Sequence, residues 1–166
     1  MYSPLNGDEG DVQILLRIGL LPVDQRVKRE CMRVLFWFCD KFAWTPTIKT
    51  LDDVPDSGPE QLENVVVAFA HVEPKDIQEG SSAETKLVKN AKWLARKWDV
   101  KKILLHSFTH LAEEKAEPGQ AKSLLDRVQD RLHQAEYDVS QTAYGYFNDL
   151  AIEAKGHPLA RIFKEF

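Results

Sequence analysis

The chain has 166 residues, a net charge of -4, 43% hydrophobic and 29% charged residues and a mean hydropathy of -0.38, the make-up of one ordinary soluble globular domain. These values exclude a disordered or collagen-like chain, and the negative balance argues against a strong sequence-independent grip on nucleic acid, so any RNA contact has to come from a local patch. Two cysteines, Cys31 and Cys39, are too few for a disulfide scaffold and lack the spacing of a zinc site.

Residues 1–31 stand apart. Met1 to Gly10 is rich in turn formers, and the apolar run Val12 to Leu21, interrupted by Arg17, is too short to span a bilayer and lacks the basic start of a secretory signal. Two readings stand: a helical appendage packing Ile14, Leu15, Ile18 and Leu21 on the domain, or an extension upstream of the natural start. From Met32 the pattern is regular. Arg33 to Phe38 reads as a strand buried on both faces, Thr45 to Glu60 as a long loop punctuated by Pro46, Pro55, Gly58 and Pro59, and Val65 to Val72 as a second strand. Ser81-Ser82-Ala83-Glu84 offers a capping box for a helix whose Leu87, Val88, Ala91, Leu94, Ala95 and Trp98 recur at helical spacing. Lys102 to His106 is a third strand and Gly119 to His133 a second helix with Leu124, Leu125, Val128 and Leu132 inward. Tyr137 to Thr142 and Leu150 to Lys155 complete a mixed sheet of about five strands with two main helices on one side, an α+β fold.

Chemistry is expected at strand ends, where loops ride on a rigid sheet. His106 and His110 have an i,i+4 spacing, but without a third ligand they do not make a metal site. Cys39 beside Asp40 reads as a buried structural thiol, since a neighbouring anion raises a thiol pKa. Asp40 itself either holds an ammonium or caps the next turn. Gly145, between two aromatic residues, allows a bulge or the close approach of a ligand, and Gly156-His157-Pro158 reads as a tight turn. On the first helix Lys86, Lys89, Trp93, Arg96 and Lys97 share an outward face, which is either a solvated surface or a track for a phosphate backbone.

Four blocks in order, Met32-Arg33-Val34-Leu35, Val65 to Val72, His106-Ser107-Phe108-Thr109-His110-Leu111, and Tyr144 to Phe163 with its Lys155-Gly156-His157-Pro158-Leu159-Ala160 run, resemble the archaeal-type threonyl-tRNA synthetase editing domain. The resemblance implies a D-aminoacyl-tRNA deacylase-like fold over 32–166, and a stand-alone deacylase acting in trans on mischarged, seryl tRNA specific for threonine. It places His110 in the editing pocket, either touching substrate or capping its turn, and makes Tyr144 and Phe147 pocket walls and Lys155 and His157 substrate-side residues. Asp40, Ser107, Phe108 and Gly145 join them as substrate-binding candidates, and Lys86, Lys89 and Lys97 of the outward helix face are the tRNA-binding ones. The chain departs from the family at two positions. Asn148 stands where members carry a lysine linked to catalysis, which implies attenuated hydrolysis, and Arg161 stands at a commonly acidic position. Implied partners are the charged 3′ end of tRNA, a separate threonyl-tRNA synthetase and, from the fold family, a second copy in a homodimer. No cofactor, metal or membrane is expected, and the location is cytoplasmic. No class II ATP site or zinc-binding synthetase core is legible, so the chain does not read as a complete ligase. The alternative is a non-catalytic module that binds aminoacyl-tRNA ends or regulates a synthetase.

Overall fold

The apolar run that opens at Arg33 continues well past Phe38, because Phe42 and Trp44 carry its aromatic pattern on, and β1 spans Arg33–Lys49. The computed structural model describes residues 32–166, and both readings of the segment before Met32 lie outside the described residues. β2 (Glu60–His71) pairs antiparallel with β1, so only residues 50–59 of the expected long loop lie outside strands. Pro46 is tolerated within β1 because it lies beside a bulge between Pro46 and Ile48, on the ladder to an edge strand.

Further along come α1 (Ala83–Lys97), β3 (Lys102–Ser107), α2 (Pro118–Gln134), β4 (Asp138–Gln141) and β5 (Tyr146–Ala154). A short 3-10 turn, Pro158–Ala160, then leads into β6 (Arg161–Glu165). The sheet runs β4-β3-β2-β1-β5, with β2, β3 and β4 parallel and the remaining pairs antiparallel. β5 lies along the Cys39–Lys49 half of β1, and β6 lies along the Arg33–Trp37 half of the same edge. The mixed α+β sheet is therefore as expected, with six strands instead of about five. β6 is the missed one, since the Gly156-His157-Pro158 turn reads as a terminus and the strand beyond it is only 5 residues long.

The capping box does not form. Ser82 makes no side-chain cap, Ser81 Oγ accepts from the Ala83 N–H at 3.2 Å, and Glu84 turns to Arg127 and Arg131 of α2, each at 2.8 Å. Trp93 is not an outward aromatic either. It packs half-buried on the helix-side core, with the Lys164 ammonium 5.7 Å from its ring centroid.

Val34, Phe36 and Phe38 face the helices, where Leu87, Leu94, Leu124 and Leu132 close a core. The opposite face holds a second buried cluster of Cys39, Phe42, Trp44, Val65, Val67, Phe69 and Leu104, with no helix of the described residues above it. A bend in the β1–β2 hairpin buries it. Phe42 pairs with Leu62 in register, yet its ring centroid is 5.9 Å from that of Phe69. Seven residues of straight strand would separate Leu62 from Phe69 by roughly 23 Å, so the hairpin must fold over on itself. The corner lies at Asp40 and Asn64. The ladder skips this pair, Asn64 takes φ 52°, and Phe38 and Phe42 end on opposite faces although four residues apart. This corner carries the start of β5 back towards the exit of β3.

Candidate functional site

The segment that leaves the end of β3, Ser107 to His110, and the segment Ala143 to Asn148 line one cavity of about 300 Å³, with Thr50, Leu51, Ala116 and Pro118 completing the wall. A neighbouring cavity of about 620 Å³ shares Leu51, Pro118, Thr142, Ala143, Tyr144 and Tyr146 with it, so Tyr144 stands between the two. The Tyr144 hydroxyl donates to the Pro118 carbonyl at 2.7 Å, and burial raises its pKa above the ordinary tyrosine value, partly offset by the adjacent Ser107. α2 opens directly beside the cavity and carries no acidic residue in its first turn.

Two buried histidines organise the wall. The Leu111 N–H donates to His71 Nδ1 at 3.2 Å, so the ring proton sits on Nε2 and is donated to the Glu114 carbonyl at 2.7 Å. Together with the Ala116 N–H on the Val72 carbonyl at 2.9 Å, this pins the 108–116 loop to the end of β2. His106 is buried, its Nδ1 lies 2.8 Å from the Thr142 hydroxyl, and burial pulls its pKa down to about 4, so it is a neutral wall group. His110 is exposed at the mouth with its ring edge-on to Phe108 at 5.1 Å.

Gly145 closes the roof. Its φ is +77°, its carbonyl accepts from the Thr50 N–H at 2.8 Å, and a Cβ there would lie 2.8 Å from Val54 Cγ1 and 3.2 Å from Leu51 Cβ. The close approach expected at this glycine is therefore made by the protein's own 50–57 loop. Tyr146 holds the far end of that loop through its hydroxyl on the Pro55 carbonyl at 3.0 Å.

Asn148 lines the cavity beside the bulge of β1, where the Thr47 hydroxyl donates to the Phe147 carbonyl at 2.9 Å. Its Nδ2 donates to the carbonyls of Ala143 and Tyr146 at 3.4 and 3.3 Å, and its buried Oδ1 has no hydrogen-bond partner among the described residues. The amide is thus loosely held, with its donor directed at backbone.

Of the residues singled out in the sequence, Ser107, Phe108, His110, Tyr144, Gly145, Phe147 and Asn148 come together on this cavity. Asp40 and Lys155 do not line it. They pair with each other at 2.8 Å, Asp40 in β1 and Lys155 just past the end of β5. His157 caps the 3-10 turn through Nδ1, which accepts from the Leu159 N–H at 3.0 Å, and lies edge-on to Trp98. Lys86, Lys89 and Lys97 are exposed on α1, and Arg161 lies over Trp37 at 5.7 Å. Burial first, and then the Asp40 carboxylate, push the Cys39 thiol up to about 12, which makes it an unreactive core group. Thr142, Lys115 and the 50–57 loop were not recognisable as parts of the site, because none belongs to a motif, and His71, though inside the Val65 to Val72 block, read only as a strand residue; the tertiary fold gathers them.

The architecture is shared with a solved chain titled c-Myc DNA Unwinding Element Binding Protein, at a TM-score of 0.56 and 12% identity over 81% of this chain and 97% of that one. That likeness defines a fold class. A probable eukaryotic D-amino acid tRNA deacylase overlays at a TM-score of 0.45, with 11% identity over 82% of this chain and 98% of that one. The sequence pattern of the archaea-specific editing domain of threonyl-tRNA synthetase matches residues 32–166, and the chain belongs to this family. It is 32% identical over 136 residues to the threonine–tRNA ligase of Nitrosopumilus maritimus and 28% identical over 135 residues to that of Thermococcus kodakarensis. The matches cover 80% and 79% of this chain but 21% and 22% of those ligases, so it spans about a fifth of the length of these relatives. Among the described residues no helix is long and apolar enough to cross a membrane.

Proposed function

We propose that the chain is a trans-acting editing deacylase that hydrolyses seryl esters of tRNA specific for threonine. The observation that carries this reading is the convergence of Ser107 to His110 and Tyr144 to Asn148 on one cavity of about 300 Å³ in a chain of this family. Such a site answers a physical need. A synthetase that selects threonine by binding gains only about 1–3 kcal/mol from one methyl group, and a second pocket that excludes the methyl supplies the rest. Water adds to the ester carbonyl, the carbonyl oxygen becomes an oxyanion, and the ribose hydroxyl departs with a proton. His110 at the mouth orients the water, main-chain N–H groups receive the oxyanion, and Tyr144 and Phe147 hold the terminal adenosine. The partner is the charged 3′ end of tRNA, delivered by a separate synthetase in the cytoplasm. A homodimer belongs to the same reading, with exposed Ile48 and Phe163, which do not line the cavity, available for contact.

Asn148 sets the rate in this reading. An amide whose donor is spent on two backbone carbonyls offers neither charge nor a free N–H, so hydrolysis is slow. The same observation favours the second reading, a module that binds aminoacyl-tRNA ends without cleaving them. Incubation with seryl-tRNA specific for threonine separates the two. Ester loss above the buffer rate supports the deacylase, and binding that protects the ester supports the module.

A further inference from the structure

Residue 148 is an uncharged asparagine, Lys155 is tied to Asp40, and Lys86, Lys89 and Lys97 lie on α1. Among the described residues, one lysine or arginine lines the 300 Å³ cavity, and it is Lys115. The sequence conceals it in the run Glu113-Glu114-Lys115-Ala116-Glu117, which reads as a solvated acidic loop. The structure sorts that run. Lys115 and Ala116 line the cavity, whereas the three glutamates do not.

Its backbone is fixed on both sides. The Glu114 carbonyl is held by buried His71, and the Ala116 N–H by the Val72 carbonyl. The lysine is exposed and forms no ion pair among the described residues. A cation anchored at the mouth, outside the buried interior where the ester would react, is placed for an anion that stays in solvent while the rest of the ligand enters. A charged tRNA end has one such group beside the reacting nucleoside, the phosphate that joins the terminal adenosine to the preceding nucleotide.

We propose that Lys115 binds this terminal phosphodiester and so registers the tRNA end over the cavity. The inference rests on the aminoacyl-adenosine reading above and adds a positioning residue to it. It also accounts for a chain of net charge -4 engaging RNA through a local contact.

The test uses the full chain and a non-hydrolysable seryl-amide analogue of adenosine, prepared with and without a 5′-phosphate, in titration calorimetry at low salt. The wild-type protein is expected to prefer the phosphorylated form by roughly fivefold, the scale of one exposed ion pair. Lys115→Gln should erase the preference while both proteins bind the phosphate-free form alike, and Lys115→Arg should restore it. With intact tRNA, Lys115→Gln should make the plot of log affinity against log salt shallower by about 0.7. A preference that survives in Lys115→Gln overturns the assignment, as does equal weakening of both forms, which would place the lysine at the ester or in the fold. Failure of either form to bind the wild-type protein would instead overturn the aminoacyl-adenosine reading itself.

Discussion

Replacing Gly145 with alanine puts the roof of the site under a load that can be worked from the geometry. An L-residue held at φ +77° costs about 1–2 kcal/mol relative to glycine, and the added methyl carbon would lie 2.8 Å from Val54 Cγ1 and 3.2 Å from Leu51 Cβ. Real Cβ atoms do not tolerate the shorter contact, so the 50–57 loop must retreat and strain the Thr50–Gly145 hydrogen bond. The unfolded chain loses entropy on the same substitution, which returns about 0.4–1 kcal/mol. The net expectation is a destabilisation of roughly 1–3 kcal/mol. Urea denaturation reads this as a midpoint lower by about 1 M at unchanged slope. Gly156→Ala is the control, because a methyl there meets nothing within 4 Å, and its midpoint should move little. If Gly145→Ala proves no more destabilising than Gly156→Ala, the roof assignment is wrong.

Asn148→Lys should raise the single-turnover rate of seryl ester hydrolysis by at least tenfold, part of the 10²–10³ that one well-placed donor is worth at about 3–4 kcal/mol. An unchanged rate with intact circular dichroism would remove the explanation for slow turnover, and pairing the variant with Asp149→Ala guards against capture of the new ammonium. Asn64→Val should cost about 1–2 kcal/mol in denaturant, since a β-branched residue resists the left-handed conformation at the hairpin corner, whereas Asn64→Gly should be tolerated. His106, with its pKa down at about 4 in the fold against about 6.5 unfolded, contributes stability that is full above pH 6.5 and is lost as the pH falls towards 4. Subtracting the pH–stability curve of His106→Gln should expose that loss, up to roughly 3 kcal/mol, while Asp76, raised to about 6 by burial, works in the opposite sense in both proteins. Replacing Lys86, Lys89 and Lys97 together by glutamine should weaken tRNA binding and flatten its salt dependence. Equal affinity at low and moderate salt would assign that face of α1 to solvent.

What the sequence made legible was local. The helix of Leu87, Ala91 and Leu94 and the strands around Val34 and Val66 follow from periodicity, because burying one face imposes a period on the chain. The His110 turn and the Tyr144 to Asn148 segment could be read as motifs. The bend at Asp40 and Asn64 could not, since Asn64 in a polar stretch has nothing to mark a left-handed corner until Phe42 is found on Phe69. That corner decides which end of β5 meets which end of β3, and therefore which motif residues share a cavity. Asp40 and Lys155 were each plausible beside a substrate and satisfy each other instead, a pairing of residues 115 positions apart that register alone creates. His71 and Lys115 escaped notice for a related reason. Each acts through a loop that the fold, and not a motif, brings to the cavity.

The most direct test of the account is single-turnover hydrolysis by the wild-type chain of seryl-tRNA and threonyl-tRNA, both built on tRNA specific for threonine, with the release of free amino acid followed against a protein-free control. The account predicts measurable loss of the seryl ester and at least a tenfold slower loss of the threonyl ester, the scale of discrimination that one methyl group provides. Seryl ester loss no faster than in buffer, or equal rates for the two esters, would contradict it.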